Sequence, residues 1–149
     1  MLERTLVILK PDCIQRGITG EILSRFEKKG LKFVAMKMIM ISKEKAEYHY
    51  MEHKNKPFFN DLVEFIISSP CIVFVLEAEN AIRIARKLAG ATKVEEAVPG
   101  TIRGDYVIHI ASNVVHTSDS PESAEREINN FFSPDELIVY KRDLYSWIG

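Results

Sequence analysis

The chain has 149 residues, 46% of them hydrophobic and 28% charged, and 20 Lys+Arg against 21 Asp+Glu leave a formal net charge of -1. This length and composition predict one globular domain over residues 1–149, with enough apolar content for a sizeable core and too much for intrinsic disorder. The charge balance argues against general affinity for nucleic acid or an anionic membrane surface, and the longest clean apolar run, residues 71–76, is far too short to cross a bilayer.

Taken in chain order, Thr5-Leu6-Val7-Ile8-Leu9 has the pattern of a buried strand, ended by Lys10-Pro11-Asp12. Gly17 and Gly20 bracket a turn. From Glu21 a helix with Ile22, Leu23 and Phe26 on one face runs to a stop at Gly30. Residues 31–41 read as a longer, partly exposed strand. Ser42 caps the next helix, which carries Tyr48, His49, Tyr50 and His53 and is broken by Asn55-Lys56-Pro57. The spacing of Phe58, Leu62, Phe65 and Ile66 predicts a second helix that buries them. Residues 71–76 form another strand. A helix follows over 80–89, with Ala81, Ile84, Ala85 and Leu88 inward and Gly90 at its end.

Residues 91–104 lack periodicity, and a connection of that length in a compact domain is usually functional or disordered. Residues 107–110 and 114–116 read as extended. A helix starting at Ser120-Pro121 packs Ala124, Ile128 and Phe131, and Ser133-Pro134 with Glu136 has the form of a capping box. The tail from Leu137 shows no clear element. Cys13 and Cys71 form no close pair, and no signal-peptide core precedes the first strand, so a reduced, cytoplasmic protein is expected. Strands and helices alternate without a Gly-rich dinucleotide turn. A split βαβ arrangement follows: an α+β sandwich with a four-stranded, mainly antiparallel sheet covered by helices.

Several patterns carry chemistry. No P-loop or kinase glycine loop is present, so any nucleotide must be held by side chains. His49-Tyr50-Met51-Glu52-His53 matches the H-x-x-E-H spacing of a zinc peptidase, but no third ligand is evident and the segment reads as a solvated helix face. His116 ends a short strand just before Ser118, Asp119 and a helix start. It is either a working residue or a partly buried histidine satisfied by its neighbours. The absence of a G-x-S-x-G elbow disfavours a hydrolase. Lys10, Arg86 and Arg103 are singly ordinary surface charges; brought together near His116 they form a cationic pocket suited to a polyphosphate.

These residues carry a resemblance. Residues 5–12, Gly90-Ala91-Thr92, the Pro99-Gly100-Thr101-Ile102-Arg103-Gly104-Asp105 run and Asn113-x-x-His116-x-Ser118-Asp119-Ser120 stand in the order and spacing of the nucleoside diphosphate kinase family, with Glu122-Ser123-Ala124 and Glu127 continuing the match. The resemblance covers about residues 3–132. It implies a ferredoxin-like core and transfer of a γ-phosphoryl group from a nucleoside triphosphate to a nucleoside diphosphate by a ping-pong route through phosphorylated His116. Glu127 matches the acidic residue that orients the histidine, and Ser118 supports the pair. Lys10, Tyr50, Arg86, Thr92, Arg103 and Asn113 match positions that hold phosphates and sugar. Phe58 matches the aromatic that stacks on the base, with simple core packing as its alternative. Mg2+ is implied on the nucleotide phosphates, with Asp119 holding one of its waters.

A homo-oligomer is also implied, a hexamer in preference to a tetramer or dimer. The rival of another class is a binding module that keeps the fold but does not turn over. The sequence departs from the family pattern in three places: Thr117 stands where Gly is usual, Lys93-Val94 where Asn-Pro is usual in a loop that commonly contributes to subunit contacts, and Tyr106 replaces Phe. Thr117 would be strained if its position required positive φ and relaxed in an extended one.

Overall fold

The computed structural model describes residues 2–148. Four strands, β1 (Leu2–Leu9), β2 (Lys32–Ile39), β3 (Cys71–Glu79) and β4 (Val115–Thr117), form one sheet in the order β2-β3-β1-β4, and every neighbouring pair is antiparallel. Helices cover both faces, as the α+β, ferredoxin-like reading requires. The continuous apolar run in β1 follows from this. Leu6 and Ile8 pack on one side with Val73, Val75 and Ile66, while Val7 and Leu9 pack on the other with Phe74, Ile22 and Phe26. A strand covered on both faces has no polar side to alternate with.

The first core layer is closed by α3 (Lys43–His49), α4 (Phe59–Ile67) and α7 (Pro121–Phe131), and the second by α2 (Thr19–Lys29) and α5 (Ala81–Ala89). A short α1 (Pro11–Gln15) follows β1, α6 (Ile102–Tyr106) lies in the long connection, and α8 (Tyr145–Ile148) lies in the tail. The caps explain several boundaries. The Ser42 hydroxyl accepts the Lys45 N–H and the Ser120 hydroxyl accepts the Ser123 N–H, with Pro121 opening α7. The Ser133–Glu136 capping box forms as predicted. The start of α5 has no cap of its own, because Asn80 is left-handed; Glu3 of β1 accepts the Ile82 N–H at 3.0 Å instead.

The structure differs from the sequence reading at several points. Gly20 lies inside α2, which begins at Thr19. Residues 107–110 are not a strand: Val107 alone enters the core, Ile108 is exposed, and the chain then turns into a 3₁₀ helix at Ile110–Ser112. The 91–104 connection is ordered by a 3₁₀ turn at Val94–Glu96 and by α6. There Gly104 is obligatory, since a Cβ would lie 1.8 Å from the Val98 carbonyl oxygen. Lys93-Val94 fits this turn, with Val94 packed against the second core layer. Phe58 does not join the core. It precedes α4, whose buried residues are Val63 and Ile66, and it is 46% exposed. Thr117 pairs with Val7 as an ordinary strand residue, and among the described residues only Asn80 and Val114 have positive φ without being glycine.

Candidate active site

The antiparallel register of β1 and β4 sets Ile8 opposite His116 and Leu9 opposite Val115. Lys10 therefore leaves the end of β1 beside the chain that enters β4, and its ammonium donates to Asn113 Oδ1 at 2.8 Å. Residues 103 positions apart in sequence thus share one sheet edge. Arg103 reaches the same place from α6, where it donates from one guanidinium nitrogen to the Gly90 carbonyl (2.8 Å) and from another to the Val115 carbonyl (2.6 Å). It ties the end of α5 to β4, next to the turn of α5 that carries Arg86.

These groups face a cavity of about 1590 Å³. Of the residues singled out from sequence, Lys10, Tyr50, Phe58, Arg86, Thr92, Arg103, Asn113, His116 and Asp119 all line it. Phe58 stands on the rim with its ring 5.5 Å from that of His53. Ser118 and Glu127 lie behind His116 rather than in the cavity. The segment between α3 and α4 forms the outer wall. It is held to α7 by an ion pair between Glu52 and Arg126 (3.1 Å).

Glu127 is buried, and its Oε1 accepts from the Ser118 hydroxyl at 2.7 Å and meets His116 Nε2 at 2.9 Å. Burial pushes this carboxyl up, but the charge of His116, the hydrogen bonds from His116 and Ser118, and the charge of His49 outweigh it and hold the group below the ordinary glutamate range. An ionised carboxylate only accepts, so Nε2 must carry the proton and Nδ1 is left as the basic nitrogen of the ring. Ser118 is itself locked to β1: its hydroxyl accepts the Leu6 N–H and its own N–H donates to the Leu6 carbonyl.

Lys10, Arg86 and Arg103 concentrate positive charge in the cavity, whose lining also carries the carboxyls of Glu3, Asp61 and Asp119. Burial, with the nearby Arg103, lowers the Lys10 ammonium to about 8, and burial with Arg86 lowers Arg103 to about 10. Cations kept in this unfavourable setting form a hole for an anion. Of these carboxyls, that of Asp119 is held below the ordinary aspartate range by a hydrogen bond with Ser123, against burial that raises it.

Sequence reasoning misjudged His49, which is not on a solvated face. It is buried, its ring packs edge-on at 4.5 Å from His116, and burial with the adjacent His116 keeps it well below the usual imidazole range. His49 and His53 therefore diverge, one inward and one to the rim, which separates the pair that the H-x-x-E-H spacing would need. His49, His116 and Glu127 do bring ligand atoms within 4.8 Å of one another. That nitrogen-rich set, with its carboxylate already engaged, does not suit Mg2+, which prefers oxygen and retains water; Asp119 does. The left-handed backbone of Val114 was also missed, since a β-branched residue before a strand signals only extension.

A family model described as nucleoside diphosphate kinase matches residues 3–137. The chain is 54% identical over 147 residues to nucleoside diphosphate kinase from Archaeoglobus fulgidus, covering 99% of this chain and 97% of that one. Its fold matches the halophilic nucleoside diphosphate kinase from Halobacterium salinarum in complex with CDP, with a TM-score of 0.97, 47% identity, and coverage of 100% and 99% of the two chains. A transition state mimic of the enzyme from Borrelia burgdorferi with bound vanadate and ADP matches with a TM-score of 0.92 and 39% identity, covering 98% of this chain and 96% of that one. No helix among the described residues is long and apolar enough to cross a membrane.

Proposed function

The chain belongs to the nucleoside diphosphate kinase family, and from that premise we propose that it transfers the γ-phosphoryl group between nucleoside triphosphates and diphosphates through a phosphohistidine on Nδ1 of His116. The observation that carries this reading is the 2.9 Å contact between His116 Nε2 and buried Glu127, which fixes the ring and its tautomer beside a cavity rich in cations. In the first half-reaction the Nδ1 lone pair forms an N–P bond as the bond from γ-phosphorus to the bridging oxygen breaks, and the nucleoside diphosphate leaves. Positive charge that develops on the imidazole is offset by Glu127. In the second half-reaction an incoming diphosphate takes the phosphoryl group back along the same path. One site then serves donor and acceptor in turn.

Lys10, Arg86 and Arg103 offset charge on the phosphates, with Thr92 and Asn113 as neutral partners. Fixed donors of this kind supply much of phosphoryl-transfer catalysis. Tyr50 lines the cavity with the groups that hold phosphates and sugar, and Phe58 stacks on the base from the rim; any base offers a π-face, so the site accepts many nucleotides. A divalent metal is proposed to assist the transfer. Mg2+ on the phosphates would neutralise their charge, with Asp119 holding one of its waters. The protein is proposed to act in the cytoplasm as a homo-oligomer, with a hexamer favoured.

Brief incubation with labelled ATP and Mg2+, followed by denaturing electrophoresis, tests the reading. Acid-labile label on the protein that moves to added GDP, and is absent in His116→Ala, is the expected result. Saturable nucleotide binding with no label would instead identify a module that binds without turnover.

A further inference from the structure

Val114 lies between Asn113, which holds the Lys10 ammonium, and β4, which carries His116. It is completely buried, with φ at 71°. The Val115 N–H donates back to the Asn113 carbonyl at 2.7 Å, so Val114 is the centre of a γ-turn of the positive-φ kind, a rare and strained conformation. For a β-branched residue it is a genuine outlier. Such a conformation persists only where its surroundings over-determine it. The backbone supplies one such restraint, a bond from the Lys10 N–H to the Val114 carbonyl at 2.8 Å. The other comes from a side chain: Asp12 Oδ2 accepts the Val114 N–H at 2.9 Å.

Asp12 stands in the first turn of α1, where its charge also acts on the Lys10 ammonium. It does not line the cavity, its second oxygen is buried without a hydrogen-bond partner, and burial pushes its carboxyl up while the Val114 N–H pulls it down. Relaxing Val114 to an extended conformation would rotate Asn113 away from Lys10. It would also move the Val115 carbonyl that anchors Arg103 and shift His116 along β1. Two phosphate-facing cations and the nucleophile thus hang on one strained turn.

We propose that Asp12 is a positioning residue for phosphoryl transfer: its carboxylate clamps the Val114 γ-turn and thereby sets Lys10, Asn113, Arg103 and His116 in their working arrangement. The inference rests on the phosphotransfer reading given above. Displacing reacting groups by about an ångström costs on the order of 10- to 100-fold in rate, and this is the fall in kcat expected for Asp12→Ala, with a smaller change in KM. Asp12→Asn keeps an oxygen that accepts the amide and should stay within about threefold of the native kcat.

The decisive comparison is a double-mutant cycle with Val114→Gly, because glycine takes φ near 71° without strain and no longer needs the clamp. In that background Asp12→Ala should lose less than about threefold in kcat, well short of its loss in the native background. Equal losses in the two backgrounds, a native-like kcat for Asp12→Ala, or an Asp12→Asn as impaired as Asp12→Ala would each overturn the proposal. If Asp12→Ala does not fold, Asp12→Ser, too short to reach the amide, replaces it in both backgrounds under the same criteria. A native protein that takes no label from ATP overturns the phosphotransfer reading itself; a native protein that transfers while all the variants match it overturns only the clamp.

Discussion

The pairing of Glu127 with His116 is a matter of single atoms. Because Glu127 Oε1 accepts from both Ser118 and His116 Nε2, replacing the carboxylate by an amide introduces a donor and removes the constraint on which ring nitrogen holds the proton. Glu127→Gln should lower kcat by about 10²- to 10⁴-fold, by analogy with the wrong-tautomer variant of a Ser-His-Asp triad, with a thermal midpoint close to native. Glu127 also ties stability to acid. Its carboxyl is held below its unfolded value, so its contribution is present above that value and is lost as pH falls through the folded one. Lys10 acts at the other end of the scale. Lowered from 10.5 to about 8, it leaves the unfolded chain binding more protons than the folded one between these values, so the stability of the free protein rises with pH across that interval. Nucleotide affinity should fall over the same interval, because a neutral amine no longer attracts phosphate. Titration calorimetry with a nucleoside diphosphate from pH 7 to 9, below the range where Arg103 titrates, checks this, with Lys10→Met expected to bind weakly and without the alkaline step; an unchanged affinity in the native protein would remove Lys10 from the phosphate site.

Among the elements, the segment joining α3 to α4 best separates core from site. Its helices are anchored by Ala46, Val63 and Ile66, but Phe58 stands on the cavity rim at 46% exposure. Phe58→Ala should weaken nucleotide binding by about 1–3 kcal/mol, the range for one lost base stack, and change folding stability by less than about 0.5 kcal/mol, as exposed substitutions do. By contrast, Phe74 is fully buried between the sheet and α2, and Phe74→Ala should lose about 3–5 kcal/mol of stability. Affinity and chemical denaturation measured on the two variants check both statements. The same segment shows where sequence periodicity misleads. The i, i+4, i+7, i+8 spacing from Phe58 is helical and α4 exists, yet its first member sits just before the helix and turns outward. Residues 107–110 fail in another way: an apolar alternation looks extended, but no neighbouring strand is available to pair with it. Strand pairing is a tertiary event that local pattern does not report.

For the whole molecule, strand and helix order was legible because each element carries its own period and punctuation, as with Ser42, Gly30 and Ser120-Pro121. The site was legible as a set of residue types and spacings, but not as a geometry. That Lys10 meets Asn113 follows from the register of β1 against β4, that His49 packs on His116 from the seating of α3 on the sheet, and that Val114 is left-handed from its bonds to Asp12 and Lys10: all are tertiary. The sheet order has one further consequence. β2 is an outer strand whose first half is met by the tail, with the Ile138 N–H on the Val34 carbonyl, while Met36 and Met38 in its second half and Met40 just beyond it stand 55%, 60% and 60% exposed. A long apolar edge strand is a template for pairing with another chain, and proteins that remain monomeric blunt such edges with charge or proline. Antiparallel pairing of β2 with a second copy is self-complementary, as a two-fold interface requires, and would cover the three methionines. Met38→Lys places a charge in the middle of that edge and should shift the mass measured by light scattering to a smaller species. β4 lies on the opposite edge of the sheet, so acid-labile labelling of His116 should persist in the smaller species. An unchanged mass would exclude the β2 edge as the contact that holds copies together.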